Sequence, residues 1–146
     1  MSEDVEPAGP GGAVLALDLG AARIGVAVSD PERHVAMPLG TIRTGAPQDL
    51  KAVASLVREH GAELVVVGDP LNLSGAPSES SRHAAAFADA LRAVLSVPVE
   101  LFDERLSTVE ADRMLSSAGV KGRRRREVVD QVAATVILQS YLDRAR

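Results

Sequence analysis

Residues 13–19, AVLALDL, are apolar at every position but one, and the exception is Asp18. A strand with one face in water alternates apolar and polar residues; a strand apolar on successive residues is covered on both faces. The segment therefore calls for a sheet buried between layers, the plan of an α/β protein. It also makes Asp18 conspicuous, because one unpaired carboxylate inside such a strand costs more than a small domain can spare.

The rest of the chain supplies the layers. Residues 23–29, RIGVAVS, alternate and follow a short glycine-containing turn, as the second arm of a hairpin. Residues 34–44 read as a third strand, pushed toward the sheet edge by Pro38 and Gly40. Residues 47–60 open with proline, stop at Gly61 and repeat apolar residues at helical spacing (Leu50, Val53, Ala54, Val57). ELVVVGDP (63–70) is a second buried strand, followed by a polar loop and a helix over 78–95. A strand at 97–102 delivers Asp103 and Glu104 at its end. A short helix is expected over 107–118, then a basic loop, then a last helix over 127–142 that is apolar nearly all round and so must be buried centrally.

The order β-β-β-α-β-α-β-α-α predicts a single α/β domain over 13–146. Its five-stranded mixed sheet is a three-strand antiparallel meander plus two parallel strands, flanked by helices. Residues 1–12, acidic and rich in Pro and Gly, read as a disordered tail without the basic start and apolar stretch of a signal peptide. No apolar run approaches the length of a membrane span. The absence of cysteine removes thiolate metal sites and fits a cytoplasmic protein.

Net charge is −4, yet residues 121–126, KGRRRR, place five cations (Lys121 and Arg123, Arg124, Arg125, Arg126) in six positions. Such asymmetry suggests a local anion-binding patch on an acidic body, although a solvated basic loop has the same composition. Aromatic residues make up 2% of the chain, too few to grip single strands by base stacking. Binding of RNA or DNA would therefore run through phosphates. The same scarcity of rings leans toward a monomer over a dimer.

At three places acids stand where a solvated carboxylate is least expected. Asp18 shares a strand face with Val14 and Ala16 near the strand's carboxyl end. Asp103 and Glu104 follow the fifth strand, where ligand crevices of open α/β sheets lie. Asp130 falls in the first turn of the last helix, on one face with Ala134 and Ile137. All but Asp18 have a plain alternative: an acid in a first turn complements the helix dipole, and Asp103 or Glu104 can pair with Arg105. If the first and fifth strands are neighbours and the last helix crosses them, all three acids meet. Like charges about 4 Å apart repel by about 4 kcal/mol at an effective dielectric of 20, which a cation relieves. All-oxygen ligands select a hard ion, Mg²⁺ or Mn²⁺, and the chemistry expected is metal-dependent attack on a phosphodiester.

Four blocks, LDLGAARIGVAVSD, VVGDPLNLSG, FDERLST and VVDQVAATVILQSYL, resemble in order and spacing the YqgF/RuvX family of the ribonuclease H-like superfamily. Its members are described as pre-16S rRNA nucleases or Holliday junction resolvases. The resemblance implies a ribonuclease H-like fold. It implies Asp18, Glu104 and Asp130 as metal-binding catalytic acids, and so chooses Glu104 over Asp103. Gly20, Arg23 and Gly25 accompany Asp18 in its block. Arg23 and Arg105 become candidates to steady the phosphate, and Lys121 with Arg123–Arg126 to hold the flanking backbone. One departure is Asp69, where the family usually has leucine; it either joins the metal shell or shapes the turn. Asp30 is a supporting acid or a turn former. The rival readings are an actin- or sugar-kinase-like phosphotransferase, for which one such domain is too few, and a non-catalytic nucleic-acid or ribosome binding module on the same scaffold.

Overall fold

The computed structural model describes residues 12–71, 74–104 and 122–145, with side chains from 131 onward in the last segment. The expected tail before Gly12, the short helix expected over 107–118, Arg105 and Lys121 lie outside the described residues. Strands β1 (Ala13–Leu19), β2 (Arg23–Ser29) and β3 (Ala36–Arg43) form the antiparallel meander. They are followed by α1 (Gln48–His60), β4 (Ala62–Asp69), α2 (Glu79–Val94), β5 (Val99–Asp103) and α3 (Gly122–Ala145). The sheet order is β3-β2-β1-β4-β5, with β1–β4 and β4–β5 parallel.

β1 is covered on both faces, as its sequence requires. Leu15 and Leu17 face α1 and α2, packing with Val53, Val57, Ala84, Ala88 and Leu91. Val14 and Ala16 face α3, packing with Ala134, Ile137, Leu138 and Leu142. Full burial of a leucine or isoleucine side chain stabilises by about 1.5–3 kcal/mol, so two apolar layers on one thin sheet supply most of the driving force.

Two expectations are corrected. First, β1 and β5 are not neighbours, because β4 lies between them. Each parallel crossover places its strand one position further out, so β4 takes the place beside β1 and β5 the place beyond it. Second, the basic run is not a loop. Helix α3 begins at Gly122, five residues before the expected start, and takes in Arg123–Arg126. Arginine is a good helix former, and the one glycine of the run, Gly122, stands at the helix start rather than in its interior. Asp130 is accordingly the ninth residue of α3 rather than a first-turn residue, so the helix dipole does not account for it.

The direction of α3 is set by two contacts. Ile137 lies against Gly68, near the carboxyl end of β4. Gln139 binds Ala36 N and His34 O at the amino end of β3. The helix thus runs from the strands' carboxyl ends back along the sheet. Asp130, seven residues before Ile137, has its backbone about 10 Å nearer those carboxyl ends.

Candidate active site

The register of three strands builds the site. Asp18 lies opposite Gly25 of β2. On its other side Leu17 pairs with Val67, so Gly68 is the next residue of β4 beside Asp18. Gly68 in turn pairs with Phe102 of β5, two residues before Glu104. Asp18, Gly68, Phe102 and Glu104 therefore share the face that α3 covers, while Asp69 and Asp103 belong to the opposite face.

Gly68 explains how acids from non-adjacent strands can approach each other. A Cβ placed on it would stand 2.8 Å from Glu104 Oε2 and 2.9 Å from Ile137 Cδ1. Glu104 folds its carboxylate over the bare backbone of β4, into space that any other residue would fill. The backbone helps: Glu104 N donates to Asp69 O at 3.2 Å, holding the chain beyond β5 against the end of β4.

This position is electrostatically costly. Burial, then the charges of Asp18, Asp69 and Asp103, push the Glu104 carboxyl up from 4.5 to about 7. Desolvation disfavours its ionised form, and three like charges add to the effect.

A cleft of about 520 Å³ opens above the strand ends. Asp18, Gly68 and Glu104 form its floor; Gly20 and Ala21 of the β1–β2 turn and Thr44 form one wall. Glu79, Ser80 and His83 from the first turns of α2 form the other. The turn is held by Gly20 N donating to Arg23 O at 2.8 Å and Thr44 N to Ala22 O at 3.0 Å.

The remaining acids separate cleanly. Asp69 Oδ1 accepts a 2.6 Å bond from Ser81 Oγ, tying the end of β4 to α2 on the face away from Glu104. Asp30 Oδ1 accepts from His34 N and Val35 N, both at 2.8 Å, and these backbone bonds, Val35's first, hold its carboxyl below the usual range. Asp30 shapes the β2–β3 turn at the far end of the sheet.

Of the expected site residues, Asp18 and Glu104 share the cleft. Arg23, at the start of β2, lines a neighbouring depression with Arg43. Asp130 has a described backbone only, and the side chains of Arg123–Arg126 also lie outside the described residues. Sequence reasoning missed Gly68, Thr44, Arg43 and His83. A glycine inside an otherwise apolar strand was the available signal for Gly68. His83 sits in an ordinary amphipathic helix and offered none.

Among the described residues, no three His, Asp or Glu side chains close on one point. Two carboxylates do share the cleft floor, and their donors are all oxygen. Burial first, and then the neighbouring negative charges, displace Glu104 upward, and a bound cation would offset both. The oxygen donors of the two carboxylates fit a hard divalent ion.

Residues 12–144 match the family model described as "RuvX: Holliday junction resolvase". A Thermobifida fusca protein named "Putative pre-16S rRNA nuclease" is 52% identical over 143 residues, covering 92% of this chain and 89% of its own. One of the same name from Chloroflexus aggregans is 49% identical, covering 91% and 94%. The fold is ribonuclease H-like and superposes on Thermus thermophilus RuvC in complex with Holliday junction substrate, with a TM-score of 0.56 at 16% identity, over 91% of this chain and 95% of that one. The chain belongs to the RuvX family of nucleases.

Proposed function

We propose that this protein is a divalent-metal-dependent nuclease that acts in the cytoplasm on the 5′ end of precursor 16S rRNA. Family membership supports nuclease activity. The observation that carries the metal is Glu104, folded over Gly68 into the field of Asp18 at the strands' carboxyl ends. The relatives' names favour RNA, whereas the family description names the four-way DNA junction.

Asp18, Glu104 and Asp130 hold one or two Mg²⁺ or Mn²⁺ ions. Bound there, the metal supplies an acidified water and charge stabilisation at the phosphorus oxygens. Asp18 is held by its pairing with Gly25 on one side and by the adjoining Leu17–Val67 pair on the other, so its oxygens are oriented before substrate arrives. Glu104 gives up the proton it keeps near neutrality and presents an ionised carboxylate. Arg23 and Arg105 steady the phosphate. Lys121 and Arg123–Arg126 hold the flanking strand; Arg123–Arg126 belong to the end of α3 that lies toward the strands' carboxyl ends.

The test is incubation of the purified protein with labelled precursor 16S 5′-end RNA, single-strand DNA and a four-way junction, each with Mg²⁺, Mn²⁺ or chelator. Cleavage of the RNA that needs metal and disappears in Asp18→Asn is the expected result. Undiminished cleavage by Asp18→Asn, or in chelator, removes this centre from the reaction. Preference for the junction moves the substrate to DNA and requires a two-fold dimer, which light scattering separates from the proposed monomer.

A further inference from the structure

Beside the acidic cleft the sheet carries a basic depression of which the proposed chemistry uses Arg23 alone. Arg23 at the start of β2 is directly opposite Arg43 at the end of β3. With Ala22 and Thr41 they line a hollow of about 500 Å³. Residues directly opposite in an antiparallel pair project to the same face with Cβ atoms about 4.5–5.5 Å apart. Thr41 lies opposite Gly25, and Gly25 lies opposite Asp18. The two arginines and Thr41 therefore stand on the face that bears Asp18. Arg23 is two residues from Gly25, about 7 Å along the strand.

The hollow and the cleft share a rim. Ala21 and Thr44 line the cleft, and Ala22 and Arg43, each the adjoining residue in sequence, line the hollow. The bond from Thr44 N to Ala22 O, 3.0 Å, fixes that rim. Directly opposed cations are unfavourable neighbours in a sheet, and guanidinium groups are suited to bidentate grip of a phosphate. The hydroxyl of Thr41, two residues along β3 from Arg43, can donate to a phosphate oxygen.

We propose that Arg23, Thr41 and Arg43 form a binding site for a backbone phosphate of the nucleic acid, one or two nucleotides from the phosphate cut at Asp18. The site rests on the nuclease reading for its ligand, but its existence is measurable without cleavage. It assigns Arg43 and Thr41 a role in holding substrate and moves Arg23 from the scissile phosphate to a flanking one. Because phosphate contacts carry no base information, it positions the strand and reads no sequence.

The experiment uses the full chain bearing Asp18→Asn, so that bound strand stays intact, and fluorescence anisotropy with fluorescein-labelled 12-nucleotide RNA and DNA across a salt series. Adding Arg43→Ala should weaken binding roughly tenfold and reduce the log–log salt slope by about 0.7, the contribution of one single-strand phosphate. Arg43→Lys should keep the slope and recover part of the affinity, showing that the fold is intact. Arg58→Ala, an exposed cation on α1 across the sheet, should change neither quantity. Unchanged affinity and slope in Arg43→Ala overturn the proposal, as does an equal loss in Arg58→Ala, which would mean general charge attraction. Calorimetry with inorganic phosphate alone is the remaining arm: tight saturable binding lost in Arg43→Ala would make this a free-anion site. If wild-type protein cleaves nothing while Arg43→Ala still lowers strand affinity, the catalytic reading fails and the site stands.

Discussion

In protein stripped of divalent ions, Glu104→Gln should raise stability at pH 8 and leave it unchanged at about pH 3.5. The unfolded chain releases the Glu104 proton near 4.5, whereas the folded chain holds it to about 7. Below 4.5 both states are protonated and the residue costs nothing. Between 4.5 and 7 the folded state binds the extra proton, so stability falls as pH rises, and above 7 the whole penalty is present. A displacement of that size corresponds to about 3 kcal/mol, less whatever solvent screening removes at the partly open cleft. Glutamine copies the protonated carboxyl in shape and cannot ionise. With an m-value of about 2 kcal/mol/M, the urea midpoint of Glu104→Gln should exceed that of the native chain by about 1–1.5 M at pH 8 in chelator. Saturating Mg²⁺ should close the gap by stabilising the native chain through mass action while doing little for the variant. Equal midpoints at pH 8 in chelator would refute the burial and crowding of charge at Gly68, and with them the argument for a cation there. The variant should also lose metal-dependent cleavage, an instance of stability gained where function is given up.

Three further substitutions test separate contacts. Gly68→Ala pushes a Cβ against Glu104 Oε2 and Ile137 Cδ1; both are side-chain ends that can shift, so urea denaturation should show a loss of only about 1 kcal/mol while cleavage falls far more steeply. Ser81→Ala removes the 2.6 Å bond to Asp69 Oδ1 and should cost about 2 kcal/mol in urea denaturation. Leu138→Ala empties a fully buried position under α3, and its thermal and urea transitions should report a loss of about 2–5 kcal/mol.

Residue order along the chain was enough to establish the elements, because each rests on local periodicity: AVLALDL can only be a doubly covered strand, and Ser78 caps α2 as a polar N-cap should. It was enough, too, to single out Asp18, since a charge in such a strand has no structural use, and the four-block resemblance selected Glu104 where alternation alone left Asp103 open. The tertiary structure decided what depends on neighbours distant in sequence. β4 stands between β1 and β5, and the approach of Glu104 to Asp18 runs over the missing side chain of Gly68. Asp69 turns away to Ser81, Asp30 closes a remote turn, and Arg43 comes to face Arg23. Periodicity tells a residue which face it occupies; only the register between strands tells it which residue it meets there, and charge interactions are governed by that distance.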